Sequence, residues 1–205
     1  MMKEEALQHL HDQVFLPALA ERVAAVELFF QQHQAQLVDE FVESFRQIAS
    51  RIKVMQDREE LAPVGFIHYS MLRTSILEGT YTYLIEAYTD QWYWEPVECY
   101  ARYDASWAFQ EISSLIRLLD EQRKKYIGVL HTSDVEHMVW KRLDCFSQMV
   151  TDLIRIAIRE AIKLPEYSEI NKAKCLRIRV GEFKDFSEDV HIDDDSTRDQ
   201  IKGAG

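Results

Sequence analysis

The sequence predicts an all-α fold: an antiparallel helical bundle of about five helices, some of them long, followed by a short extended C-terminal segment and a disordered acidic tail. Three observations lead there. Glycine and proline are scarce, six and four in 205 residues, so few positions invite a turn. Apolar residues recur in steps of three and four over long stretches, the spacing of one helix face. The interruptions fall where helices would start or stop, at Pro63 with Gly65, at Pro96, at Gly128 and at Pro165.

The elements follow in order. Between Ala18 and Ala62 there is neither glycine nor proline, and Val38, Phe41, Phe45, Ile48, Ile52 and Met55 trace the seam of a helix packed on other helices. Upstream, Leu16, Leu19, Val23, Val26 and Phe30 continue a stripe whose phase the glutamine-rich stretch 31–36 interrupts. Either one helix carries a stutter there or two helices meet. A second helical pattern runs through Ile67, Met71, Leu72, Ile76, Leu77, Leu84, Ile85 and Tyr88, with Gly79 inside it at a cost of ~1 kcal/mol relative to alanine. Residues 90–95 break this pattern, and Pro96 opens a third helix marked by Val97, Ala101, Ala108, Ile112, Leu115 and Leu119. Gly128 and a capping-box pattern from Ser133 to Glu136 precede the last long helix. Its stripe is Val135, Val139, Leu143, Phe146, Val150, Leu153, Ala157 and Ala161, and Pro165 ends it.

Beyond Asn171 the pattern changes. Leu176-Arg177-Ile178-Arg179-Val180 alternates with period two, a strand signature with no evident mate in a helical chain. Such a segment could pair with a symmetry mate, with another protein, or lie extended across the bundle. The end of the chain, opening on Asp193-Asp194-Asp195, has almost nothing to bury and reads as disordered. The expected organisation is a helical bundle domain over 1–170, an extended or strand-like docking segment over 171–192, and a disordered acidic tail over 193–205.

A formal net charge of -11 opposes the phosphate backbone, so nucleic acid is excluded as an expected partner. Three cysteines, Cys99, Cys145 and Cys175, are odd in number and far apart, as expected of reduced thiols in a cytoplasmic protein. The first residues, Met-Met-Lys-Glu-Glu, lack the basic start and apolar core of a signal peptide, and no apolar run approaches the ~18 residues a membrane span needs. A cytoplasmic chain that meets no membrane is the expectation.

No cofactor or metal is called for. Di-metal carboxylate bundles need Glu-x-x-His on two helices, and the nearest approximation is Asp134-x-x-His137, where a helix's first turn favours an acidic residue through the dipole alone. His9, His11, His33, His68, His131 and His191 are scattered, and a lone His68 near apolar positions is more often a core residue than a haem or metal ligand. Glycine-rich phosphate loops, nucleophile elbows and zinc-protease signatures are absent. Asp193–Asp195 also lacks the spacing and central glycine of a calcium loop. No catalytic residue is nominated, and the chain leans away from being an enzyme.

One stretch stands out from this background. Tyr81, Tyr83, Tyr88, Trp92, Tyr93, Trp94, Tyr100, Tyr103, Trp107 and Phe109 crowd around Pro96. Large rings of this kind either fill the corner between two helices or form a binding surface, where Trp and Tyr are enriched at hot spots. Trp92, Tyr93 and Trp94 are consecutive, so they cannot all face one core, and at least one ring is expected in solvent or against a partner. Polar residues also interrupt the apolar stripes. Arg73, Glu78 and Asp104 would meet if the helices on either side of Pro96 formed an antiparallel hairpin, giving either a structural ion pair or the polar floor of a pocket.

The expected function is a non-catalytic helical interaction or regulatory module. It would bind a partner protein through the Trp92-Tyr93-Trp94 corner, or by strand addition at 176–180, and a homodimer is compatible with it. The alternative is a bundle binding a small molecule or cofactor, possibly an enzyme, in an interhelical pocket lined by Tyr81, Tyr100, Tyr103 and Trp107 over a floor of Arg73, Glu78 and Asp104.

Overall fold

In the computed structural model, which describes residues 2–94 and 96–194, the second predicted helix and the start of the third are largely strands. The chain order is helix α1 (Lys3–Leu10), a π-helical turn (His11–Phe15), α2 (Leu16–Asp57), strand β1 (Val64–Met71), α3 (Arg73–Leu77), β2 (Thr82–Tyr88) and β3 (Cys99–Asp104). It continues with α4 (Ser106–Phe109), α5 (Ile112–Arg123), α6 (Thr132–Trp140), α7 (Asp144–Ala161), α8 (Pro165–Glu169), β4 (Lys172–Glu182) and β5 (Ser187–Asp194). The fold is therefore mixed α/β, and the all-α bundle is overturned by a five-stranded sheet.

The helical expectation held where the period of 3.6 had no competitor. α2 is one continuous helix of 42 residues, so the glutamine-rich stretch neither ends nor divides it. Its residues 31, 32 and 34–36 are simply exposed. The π-helical turn precedes Pro17, which has no N–H to donate; the Leu16 N–H bonds the His11 carbonyl five residues back and absorbs the change of register. The last long helix is two, α6 and α7, separated at 141–143. The first of them is capped by Asp134, whose carboxylate accepts from the His131 N–H at 2.9 Å, two residues earlier than the expected box.

The expectation failed between 64 and 104 for two reasons. β1 is buried on both faces at nearly every position, which removes the alternation that marks a half-buried strand. In β2 and β3 apolar and aromatic residues stand on both faces, so steps of three and four can be picked out of a period-two segment. The tyrosines, isoleucines, valine and phenylalanine of these stretches favour the pleated backbone. Gly79 is not inside a helix: it follows α3 at φ +70, a left-handed position that glycine adopts without steric cost.

Two compact units make up the chain, one from residues 2–33 and 106–150, the other from 34–105 and 151–194. In the first, α1, the start of α2 and α4–α6 bury Leu10, Phe15, Val26, Phe109, Leu115 and Phe146. Trp107 stacks on Phe30 with centroids 5.6 Å apart, and Lys3 pairs with Asp134 at 2.8 Å.

The second unit carries the sheet, in the order β3-β2-β1-β4-β5. β1 is antiparallel to β2 and parallel to β4, and the outer pairs β2–β3 and β4–β5 are antiparallel. One face packs on α2: Tyr69 meets Phe41 at 5.1 Å and lies 3.3 Å from the Ser44 hydroxyl, and Tyr103 meets Phe41 edge-on at 6.0 Å. Ile67, Ile85, Leu176, Ile178 and Val180 complete that layer and are buried. Each such side chain contributes about 1.5–3 kcal/mol by leaving water.

β4 contains the predicted strand 176–180, but that segment is not unpartnered. It has β1 on one side and β5 on the other, so the docking-segment reading of 171–192 loses its premise. The acid run beyond it is partly structural. Asp193 lies in β5, accepts from Lys172 at 2.9 Å with both side chains mostly buried, and from the Tyr167 hydroxyl at 3.1 Å. Residues 195–205, the remainder of the expected tail, lie outside the described set.

Candidate binding site

The face of the sheet turned away from α2 is built by the other half of each strand's alternation. Register places Glu86 beside Tyr100 and Leu84 beside Arg102 on this face, with Phe66 and His68 from β1 and Arg177 and Arg179 from β4 continuing it. The burial of β2 alternates accordingly: Tyr83, Ile85 and Ala87 are buried, while Thr82, Leu84 and Glu86 are only partly covered. β3 repeats the pattern, with Cys99 and Tyr103 inside and Tyr100, Arg102 and Asp104 exposed.

Over β2 and β3 this face forms a cleft of about 510 Å³, lined chiefly by Glu86, Tyr88, Glu98, Tyr100, Arg102 and Lys184. Its floor holds a carboxyl group that is poorly solvated. Burial pushes the Glu86 carboxyl above its usual range, against the lowering effects of a hydrogen bond from Tyr88 and the charge of Lys184. Its Oε2 is buried and has no hydrogen-bond partner among the described residues. An oxygen in that position is a standing acceptor for a donor brought from outside.

The aromatic stretch does not form one object. Tyr83, Tyr103, Trp107 and Phe109 are core residues, the last two in the helical unit, and the two helices that were expected to frame a pocket around Pro96 are strands β2 and β3. Trp92 covers the β1 end of the open face. It meets Phe66 at 4.0 Å, His68 at 5.6 Å and Tyr88 at 5.5 Å, with the Arg179 guanidinium 5.3 Å from its ring centre. Trp94, at the other end of the same short 3₁₀ turn, is 88% exposed. The Tyr93 side chain lies outside the described set. Tyr100 is 39% exposed, and Arg51 of α2 stacks on it at 4.7 Å.

The expected polar floor also dissolves, because the helical hairpin it required is a pair of strands. Arg73 is held by Glu182, with Nη2 and Nε at 2.7 and 2.8 Å. Glu78 is the exposed residue that ends α3, and Asp104 sits at the end of β3 opposite Thr82. Sequence reading missed Glu86, Glu98, Arg102 and Lys184. The available signal was the alternation Leu84-Ile85-Glu86-Ala87-Tyr88 and Glu98-Cys99-Tyr100-Ala101-Arg102.

His68 beneath Trp92 is fully buried, and burial, with Arg179 a lesser cause, pulls its imidazole down to about 4. It is therefore a neutral structural group at pH 7. No group of three or more His, Cys, Asp or Glu among the described residues is placed to hold a metal ion, and no helix among them is long and apolar enough to cross a membrane. Compared with protein families, with curated proteins and with solved structures, the chain matches none of them.

Proposed function

We propose that this protein is a non-catalytic interaction module, and that it binds a partner protein on the open face of its sheet, between the Trp92–Trp94 turn and β3. The observation that carries this reading is the cleft over β2 and β3. It combines aromatic area, two acidic and two basic side chains and an unsatisfied buried carboxylate oxygen on a rigid, antiparallel floor. Interfaces concentrate their affinity in such aromatic and charged anchors. Trp94, two residues beyond the Trp92 ring that meets the cleft residue Tyr88, is exposed and is of the side-chain type most enriched at hot spots.

Two exposed side chains give the test. Trp94→Ala and Tyr100→Ala remove little of the core, so the fold is retained, whereas recovery of the partner from cells falls about tenfold or more for each. Unchanged recovery with both variants folded contradicts the reading.

A second reading of the same cleft, a small-molecule site, draws on the raised carboxyl of Glu86, since perturbed acids in clefts are candidate functional groups. A bound organic molecule seen by native mass spectrometry of the purified protein, and lost in Glu86→Gln, would favour it over the protein partner.

A further inference from the structure

Resting on the binding-surface reading, we infer that the occupant is an extended peptide segment added as a sixth strand to the outer edge of β3. It carries a cationic side chain, an apolar or aromatic one two residues along, and an acidic one two residues beyond that. β3 is an end of the sheet, bonded only to β2 among the described strands. Every second residue of an edge strand directs its N–H and C=O outward, where an incoming strand completes the ladder.

Of the two edges, only β3 suits this. β5 meets β4 with a register irregularity at Ile178/Arg179 and carries Glu188, Asp189, Asp193 and Asp194, the bulge and charge by which sheets blunt an edge. β3 pairs with β2 in unbroken register from 99 to 104 and has neither proline nor lysine. The cleft reaches this edge, since Val97, Glu98, Tyr100 and Arg102 line it.

The occupant's chemistry follows from the side chains that face the cleft along β3. They run Glu98, Tyr100, Arg102, an acid, an aromatic and a base at period two. Neither Glu98 nor Arg102 forms a salt bridge among the described residues. An added strand shares faces with its neighbour, so side chains opposite these three lie over the same cleft. Opposite charges at the two ends and an apolar or aromatic group over Tyr100 are the complementary set, and Glu86 Oε2 waits beside Tyr100 for a donor. Arg51 lies on the Tyr100 ring at the same edge. Moving this flexible side chain aside weakens binding by a factor of only about two to five.

The test is selection from a phage-displayed library of random peptides a dozen residues long, followed by titration of synthetic copies of the enriched sequence. The expected motif is Lys/Arg-x-aromatic/apolar-x-Asp/Glu if the peptide runs parallel to β3, and the reverse, Asp/Glu-x-aromatic/apolar-x-Lys/Arg, if it runs antiparallel. Arg102→Glu weakens the selected peptide about five- to tenfold, and a peptide whose acidic residue is changed to lysine recovers the loss on that variant. N-methylation of alternate peptide amides weakens binding by about fivefold or more at every second position only. Selected peptides that are indifferent to N-methylation overturn strand addition while leaving the binding surface standing. A library without binders also overturns it, as does a dimer in sedimentation that Arg102→Glu dissolves, which would make a second copy the occupant. If, in addition, Trp94→Ala and Tyr100→Ala leave partner recovery unchanged, the binding-surface reading falls as well.

Discussion

The guanidinium carbon of Arg51 lies 4.7 Å from the centre of the Tyr100 ring, so a helix on one face of the sheet steadies an exposed aromatic of the edge strand. A cation over a ring at a partly exposed site is worth about 0.5–1 kcal/mol. A double-mutant cycle of Arg51→Ala and Tyr100→Ala, read by urea denaturation, should return that coupling, whereas the cycle with Tyr100→Phe should return close to zero because the phenylalanine ring keeps the contact. A coupling of zero for alanine would mean that the ring is held by β3 alone.

His68 makes stability depend on acid. The imidazole sits at about 4 in the folded chain against an ordinary 6.5, because burial, and to a lesser degree Arg179, opposes its charge. Below 6.5 the unfolded chain takes up a proton that the folded chain refuses until about 4. Stability is therefore full above that window and falls as the pH drops through it, by up to about 3 kcal/mol. Urea midpoints across the window should show the slope in the wild type and a shallower one in His68→Gln. Equal slopes would remove His68 as the cause.

Cys99 is predicted to be inert. Burial pushes its thiol up to about 11, with Arg51 pulling weakly the other way, so the thiolate that reacts with alkylating agents is scarce at neutral pH. Iodoacetamide at pH 8 should label Cys99 only after denaturation. Prompt labelling of Cys99 in the native protein would show that β3 opens.

The carboxylate of Asp193 is predicted to matter more than its place in an acid run implies. It is mostly buried against Lys172 at 2.9 Å and also takes the Tyr167 hydroxyl. Asp193→Asn leaves a buried ammonium without its counter-charge and should cost about 2–4 kcal/mol. By contrast, Glu160→Gln, which loses an exposed pair with Lys163, should cost under about 1 kcal/mol. Similar midpoints for the two variants would contradict the assignment.

Gly181 is set by space rather than by dihedral angle. A Cβ there would overlap the Phe186 carbonyl oxygen and the Ser187 backbone, so Gly181→Ala must push β4 from β5. A loss of about 1–3 kcal/mol is expected. An unaltered midpoint would mean that the hairpin yields freely.

What could be read from the sequence divides along a physical line. The stretch of α2 from Val38 to Met55 was legible because its apolar residues keep a period of 3.6 with no glycine or proline among them, whereas the continuity of the helix through 31–36 was left open. Strand 176–180 was legible because Arg177 and Arg179 stand on the open face between buried Leu176, Ile178 and Val180. β1 was not, since Ile67, His68, Tyr69 and Ser70 are all buried, and a strand covered on both faces loses its alternation. Leu84 and Tyr88 hid β2 by placing apolar groups on the face that also carries Glu86. The parallel pairing of β1 with β4 joins residues more than a hundred positions apart and leaves no local trace.

The site followed the same division. Trp92, Trp94 and Tyr100 were noticeable as rings, whatever they packed on. Glu86, Glu98 and Arg102 acquire meaning only from register, which sets Glu86 beside Tyr100 and Leu84 beside Arg102. Arg73, Glu78 and Asp104 were nominated from a helical phase that does not exist, and Arg73 found Glu182 instead.

The most direct test of the open sheet face is site-specific photo-crosslinking in the cells that make the protein. A benzophenone amino acid is placed in turn at Trp94, at Tyr100, and at Val54 of α2, which is also solvent-exposed. The account predicts one discrete adduct of the same added mass from positions 94 and 100 and none from 54. Adducts at 54 alone, or none at 94 and 100 while all three proteins remain folded, would contradict it.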